Sequence, residues 1–256
     1  MSKSFVKHTK FAVLPIDVSG KLNKQGAIQD KSSEMELWER EYSTLKVIPS
    51  STRTLPSKAL LLFSEILGFE NMHRVLDAGC GIGRNSIYLA QKECDVYAID
   101  FSETALSQLH KTALKAGVRE KIHTYNCSLE NPFPFHDNFF DFVVDSYVFC
   151  HFTDDSLKQK YRKELYRVTK PGGIVFISLF SVEDGYYRQM LESMNEKDKI
   201  IVDPNNGIKK QLYTEREIKN LFSTDFKVLY FVKLEFDDIV LGQTYNRNIL
   251  VLVLEK

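Results

Sequence analysis

Asp77, Gly79, Gly81, Gly83 and Asp100 are the residues whose types and spacing ask most plainly for chemistry. In Val75-Leu76-Asp77-Ala78-Gly79-Cys80-Gly81-Ile82-Gly83-Arg84-Asn85 an apolar run ends in a carboxylate, and three alternate glycines follow. That order predicts a strand, a tight loop whose backbone a ligand can approach closely, and a helix start. The carboxylate of Asp77 beside the loop repels a pyrophosphate and suits an ammonium or a sulfonium. A dinucleotide site would also need Gly-x-Gly-x-x-Gly, whose third glycine falls here on Arg84. Twenty-three positions after Asp77, the run Val96-Tyr97-Ala98-Ile99 ends in Asp100-Phe101. There a carboxylate can accept both hydroxyls of a ribose, at about 1.5–3 kcal/mol for each charge-assisted hydrogen bond, and a ring can stack on an adenine.

These residues resemble the class I S-adenosylmethionine-dependent methyltransferases, whose Asp/Glu-x-Gly-x-Gly-x-Gly motif and following acid are matched by Asp77, Gly79, Gly81, Gly83 and Asp100. In layout the resemblance runs from about Leu55 to Lys256, specific in its first half and generic in its second. It implies S-adenosyl-L-methionine as cofactor, with Asp77, Gly79, Cys80, Gly81, Gly83 and Asn85 around the methionine portion and Asp100 on the ribose. Phe101, Ser128 and Leu129 are left for the adenine. The family often places an Asp after its third strand, where this chain has Asn126-Cys127-Ser128-Leu129, so the residue that reads the adenine edge stays open.

The fourth position, Asp145-Ser146-Tyr147, counts Asp145 with the cofactor site but lacks the Asn/Asp-Pro-Pro-Tyr run of nucleic-acid amino methyltransferases. Cys150 follows Phe149 and not a proline, so the Pro-Cys nucleophile of cytosine C5 chemistry is missing too. Both departures point away from nucleic acid and toward a small-molecule acceptor. Tyr147 and His151 stand where an acceptor would approach the donor methyl. His151 can be a general base, because an imidazole titrates near neutral pH, or it can be a packed or capping histidine. Trp38 and Tyr42, at i and i+4, share a helix face and either cover the cofactor or pack on the sheet. Tyr186 and Tyr187 are further candidates for the acceptor side. A sulfonium methyl needs alignment more than activation, so orientation can carry most of the rate. The rivals are protein or peptide methylation, aminopropyl transfer from a decarboxylated donor, and noncatalytic cofactor binding. No paired acids follow the fourth strand, as polyamine handling would want.

The elements that must position these groups can be read around them. A chain of 256 residues suffices for one α/β domain with an extension, and its 34 basic and 34 acidic residues cancel, so no global field suggests nucleic acid or an anionic membrane. The apolar patch ending at Pro15 is too short for a signal or a span, which favours a cytoplasmic protein. Cys80, Cys94, Cys127 and Cys150 form no Cys-x-x-Cys pair; buried reduced thiols are expected, and no metal site. Residues 1–54 read as a polar arm to about Ser33 and a covering helix from Glu34; residues 55–256 read as the catalytic domain, with an insertion at 181–212. Helices are expected over 57–67, from the glycine loop, from Ser102 to Ala116, from a Thr153 cap to Pro171-Gly172-Gly173, and over 215–222. Strands are expected near 75–78, 96–99, 122–125, 141–145, 174–179, 226–234 and 248–254, with Asp237 to Asn246 connecting the last two. The alternation predicts a Rossmann-like, doubly wound, mostly parallel seven-stranded sheet with helices on both faces. The resemblance adds an antiparallel C-terminal edge hairpin.

Overall fold

The computed structural model describes residues 33–69, 72–194 and 198–256, and the polar arm expected before Ser33 lies outside them. Helix α1 (Glu34–Arg40) starts at a capping box in which the Ser33 hydroxyl accepts from the Glu36 N–H and the Glu36 carboxylate from the Ser33 N–H. One π-helical turn, Glu41–Leu45, extends it and carries Tyr42. A short α2 (Pro49–Thr52) interrupts the expected loop. Helix α3 (Lys58–Leu67) is capped by Ser57. Then β1 (Arg74–Ala78), α4 (Arg84–Gln91), β2 (Asp95–Asp100), α5 (Glu103–Lys115), β3 (Ile122–Asn126) and β4 (Phe140–Ser146) alternate as the sequence predicts, with Ser102 capping α5.

Both ends of the next helix differ from expectation. Helix α6 (Asp155–Val168) is capped by Asp154 and not Thr153; the carboxylate accepts from the Ser156 and Leu157 N–H groups and adds a favourable charge at the positive helix end. Pro171-Gly172-Gly173 does not end α6. It lies within β5 (Thr169–Phe180), at the irregularity where pairing with β4 passes from Thr169 opposite Phe140 to Ile174 opposite Phe142.

The 181–212 segment folds into α7 (Tyr187–Met194) and the antiparallel pair β6 (Ile200–Val202) and β7 (Lys209–Gln211). Tyr186, Tyr187, Ile201 and Leu212 give it a small core of its own. Helix α8 (Glu215–Phe222) follows a second capping box, Thr214 with Glu217. Strands β8 (Lys227–Val240) and β9 (Gln243–Glu255) are longer than expected: Asp237 pairs with Asn246 and Asp238 with Tyr245, so the presumed connection is itself sheet. The turn is Leu241-Gly242, both at positive φ, which matches the twist of a tight hairpin and hides behind a leucine in the sequence.

The large sheet has the order β3-β2-β1-β4-β5-β9-β8, with β9 antiparallel to both of its neighbours. Consecutive residues of the central strands are buried on opposite faces. Leu76, Val143 and Ile177 pack toward Tyr161 and Leu165 of α6 and Phe222 of α8. Val75, Val144 and Phe176 pack toward Leu60 and Phe63 of α3, Leu89 of α4 and Leu109 of α5. Burial on both faces explains why these strands read as unbroken apolar runs. Among the described residues no helix is long and apolar enough to cross a membrane, and the four cysteines are unpaired.

Candidate functional site

The residues that follow β1, β2 and β4 at their carboxyl ends line a cavity of about 560 Å³. The glycine loop forms its floor. The Gly79 and Cys80 N–H groups both donate to the Ile99 carbonyl, at 2.8 and 3.0 Å, which draws the loop onto the end of β2. The Gly81 N–H donates to Asp100 Oδ2 at 2.8 Å and the Ser102 N–H to Oδ1 at 2.9 Å. The glycines serve different ends. At Gly81, with φ +54°, a Cβ would sit 2.9 Å from the Tyr42 hydroxyl across the cavity; at Gly83, with φ +81°, it would sit 2.0 Å from Leu109 Cδ1 and force α5 away. Gly83 therefore supports the loop by packing and does not line the cavity.

The three acids also divide. Asp100 lines the cavity, and burial raises its pKa to about 6 against the stabilising backbone donors. Each of its oxygens keeps a lone pair beyond those donors. Asp77 lies behind the wall, accepts from Ser86 Oγ at 2.6 Å, and is likewise raised by burial to about 6. Asp145 does not line the cavity either. It accepts from the Val148 N–H at 2.9 Å, the Phe149 N–H at 3.0 Å and the Tyr161 hydroxyl at 2.9 Å, and burial lifts it to about 7. Its work is to brace the turn that holds Tyr147 at φ +67°. Cys80, Asn85, Phe101, Ser128 and Leu129, expected around the cofactor, line the cavity. Asn85 Oδ1 also accepts from the Ser57 N–H at 2.9 Å, joining α4 to the cap of α3.

On the facing wall Trp38 and Tyr42 stack at 5.5 Å, and Trp38 meets His151 edge-on at 4.9 Å. Glu41 fixes this segment by accepting from the Ile48 N–H at 2.7 Å and Ser51 Oγ at 2.6 Å, while Gln108 Nε2 of α5 donates to the Tyr42 carbonyl at 3.0 Å. Tyr147 stacks on Phe180 at 4.7 Å, and both line the cavity with Tyr187. Tyr186 does not; it is turned into the insertion, with its hydroxyl accepting from Asn205 Nδ2 at 3.0 Å. His151 Nδ1 lies 2.9 Å from the Lys209 carbonyl, which makes it the donor and leaves Nε2 with a lone pair. Burial first, and Lys210 second, pull its pKa down to about 3. The near-neutral titration expected from an unperturbed imidazole is absent.

Residues not singled out from the sequence complete the wall: Arg53, Arg84, Phe180, Lys210, Phe236 and Arg247. Arg53 bonds Asp238 at 2.8 Å, and Arg247 bonds Asp184 at 2.8 Å. Lys210 carried a legible sign, because Ile208, Lys210 and Leu212 alternate in the chain and are all buried. Arg53 and Arg247 gave none, since their partners are far away in the sequence.

A buried, backbone-held carboxylate beside a loop that a Cβ at Gly81 would obstruct fits a ribose-linked ligand, and the family comparisons agree. A family model described as a methyltransferase domain matches residues 75–173. Phosphoethanolamine N-methyltransferase 1 of Arabidopsis thaliana is 26% identical over 241 residues, covering 84% of this chain and 46% of the relative. The tRNA N(3)-cytidine methyltransferase METTL2 of Gallus gallus is 25% identical over 199 residues, covering 72% of this chain and 52% of the relative. The chain thus spans about half the length of these curated relatives. A solved SAM-dependent methyltransferase from Methanosarcina mazei superposes with a TM-score of 0.64 at 25% identity, over 76% of this chain and 96% of that one. Motif, sheet order and likeness converge in support of a class I S-adenosylmethionine-dependent methyltransferase, with S-adenosyl-L-methionine as its cofactor.

Proposed function

We propose that the protein transfers a methyl group from S-adenosylmethionine to a small-molecule acceptor seated between the carboxyl end of β4 and the insertion. The observation that carries this reading is that one cavity of about 560 Å³ is walled both by the glycine loop and Asp100 and by Trp38, His151, Tyr187 and Lys210. Confined, largely apolar clefts with a few convergent polar groups are the usual form of small-ligand sites. The relatives' names support methyl transfer and diverge on the acceptor, phosphoethanolamine in one and a tRNA cytidine in the other. The cancelling charges of this chain favour the small acceptor.

Bound S-adenosylmethionine supplies an electrophilic sulfonium methyl. The chain's part is to hold and align. Asp100 takes the ribose hydroxyls, Phe101 with Ser128 and Leu129 takes the adenine, and the Gly79–Gly81 backbone cradles the methionyl arm. Trp38 and Tyr42 close the cavity and exclude water. His151 Nε2 accepts a hydrogen bond from an acceptor O–H or N–H and so aligns its lone pair on the methyl; with its pKa pulled down to about 3 it is too weak a base to take the proton, which leaves to solvent. The imidazole stays neutral above about pH 3, so it adds no inflection to the rate between pH 5 and 9.

Calorimetry with S-adenosylmethionine tests the cofactor half. Release of S-adenosylhomocysteine over a panel of small acceptors, a peptide pool and tRNA tests the other, and turnover only on tRNA or peptide would sink the small-acceptor reading. On the acceptor so found, His151→Gln should slow single turnover by up to about 10²-fold through lost alignment, with unchanged cofactor affinity; equal rates would make His151 no more than part of the wall.

A further inference from the structure

Lys210 lines the cavity on the side of the insertion and is 1% exposed. An ammonium has three N–H donors, yet among the described residues Lys210 Nζ makes no hydrogen bond. Its charge is balanced: Asp203 Oδ2 stands 3.7 Å away, too far for a hydrogen bond, and Glu41 adds to this at longer range. The hydrogen bonds that these carboxylates do accept come from elsewhere, from Asn205 to Asp203 and from Ile48 and Ser51 to Glu41. The centre of the Tyr187 ring, 5.1 Å from Nζ, gives a cation–π contact and no lone pair. What Lys210 lacks is therefore an oxygen and not a counter-charge. Unused buried donors are costly, so a ligand that brings a lone pair to them gains affinity.

The surroundings of Lys210 say where that oxygen sits. The Lys209 carbonyl, one residue back in β7, holds His151 Nδ1 at 2.9 Å, so one strand places both the ammonium and the open Nε2 lone pair. Lys210 is also an electrostatic neighbour of the imidazole. The wall thus offers a hydrogen-bond acceptor beside a hydrogen-bond donor, with the Trp38 ring against the first and the Tyr187 ring against the second. Such rings favour a flat, unsaturated ligand. We propose that the methyl acceptor is a flat molecule with an oxygen on the atom next to the one bearing the nucleophile, Lys210 Nζ donating to that oxygen while His151 Nε2 accepts from the nucleophilic O–H or N–H. The inference rests on the small-acceptor reading and narrows it to vicinal diols and amino alcohols on an unsaturated frame. Lys210 acts in it as a specificity residue and takes no part in the bond that forms.

The test is methylation, by the full-length protein, of two isomer pairs: catechol with hydroquinone, and 2-aminophenol with 4-aminophenol. Within each pair only the position of the second heteroatom differs. Wild type should favour the 1,2-isomer of at least one pair by about 10- to 100-fold in kcat/KM, the value of one hydrogen bond to a charged group. Lys210→Met should erase that preference, raising KM for the 1,2-isomer more than it lowers kcat. Lys210→Gln, which restores a donor without the charge, should recover part of it. Melting temperatures report folding, and the isomer preference of the wild type decides the matter if neither variant folds. Equal rates on both isomers, an equal loss on both in Lys210→Met, or methylation of neither pair while other small acceptors are methylated overturns the proposal and leaves the small-acceptor reading standing. Turnover confined to tRNA or peptide, or none at all, would overturn that reading with it.

Discussion

The floor of the cavity and the wall that faces it are held together in opposite ways. On the floor Asp100 is tied to the Gly81 and Ser102 N–H groups, and just behind the lining Asp145 is tied to the Val148 and Phe149 N–H groups, all backbone close by in the fold. The facing wall has one local clamp, Glu41 on Ile48 and Ser51, and is otherwise held by pairs distant in the chain. Arg53 and Asp238 are 185 positions apart, Arg247 and Asp184 are 63 apart, and His151 and the Lys209 carbonyl are 58 apart. A cofactor common to a family can be met by one loop geometry written in adjacent residues. On the proposed reading, an acceptor is met by whatever the N-terminal helix, the insertion and the hairpin bring together.

The contrast is broken most severely at the floor. Gly83→Ala adds a Cβ 2.0 Å from Leu109 Cδ1 at a left-handed φ of +81°. It should cost about 2–4 kcal/mol of stability, combining overpacking with the backbone penalty, as read from denaturant midpoints. Gly81→Ala meets only the Tyr42 hydroxyl, at 2.9 Å, on a segment that can yield. It should cost about 1–2 kcal/mol of stability and fall more heavily on cofactor binding. If the two variants lost stability equally, with equal loss of affinity, the division between a packing glycine and a lining glycine would be wrong.

The facing wall should answer differently. Trp38 is half-buried and makes two ring contacts, with Tyr42 and His151, so Trp38→Ala should weaken S-adenosylhomocysteine binding by about 1 kcal/mol, roughly fivefold, and shift the melting temperature little. Unchanged affinity would make the N-terminal helix a bystander. A collapse of stability would place Trp38 with the sheet core.

What could be read from the sequence follows the same line. Gly79, Gly81 and Asp100 could be read as cavity-lining because the loop's chemistry is local, whereas Asp77 and Gly83, in the same motif, lie behind the lining; the sheet was legible because its central strands, buried on both faces, are apolar throughout. Asp145 was legible as a position and misleading as a contact: it braces Tyr147 from behind the wall. The long hairpin escaped notice because Asp237, Asp238 and Asn246 look like loop residues until they pair across the sheet. Tyr186 and Tyr187 are adjacent and equally aromatic, and only the insertion's fold decides that Tyr187 faces the cavity while Tyr186 faces Asn205.

A proton linkage separates the two buried acids at the floor's edge. Asp100 in the cavity and Asp145 behind it are both raised by burial, to about 6 and about 7. For Asp145 the folded state binds the extra proton, so between its unfolded value near 4 and its folded value near 7 the folded state loses stability as pH rises, with or without ligand. Asp100 should in addition couple to the cofactor, because ribose hydroxyls and a nearby sulfonium favour its ionised form. A carboxylate whose pKa falls on binding releases a proton, so affinity should climb with pH below about 6 and level off above 7. The gain is about tenfold for each pH unit below the free-state value. Asp77, raised to about 6 as well, can add to this through charge alone, since it does not line the cavity. Calorimetry of S-adenosylmethionine binding from pH 5 to 8, in buffers of different ionisation heat, counts the protons directly. Asp100→Asn should remove most of the slope along with the affinity of the charged bond, leaving the Asp145-linked stability profile intact. An affinity flat from pH 5 to 8 in the wild type would mean that Asp100 is already ionised in the free protein, its backbone donors outweighing burial, and the ribose contact would then be prepaid by the fold.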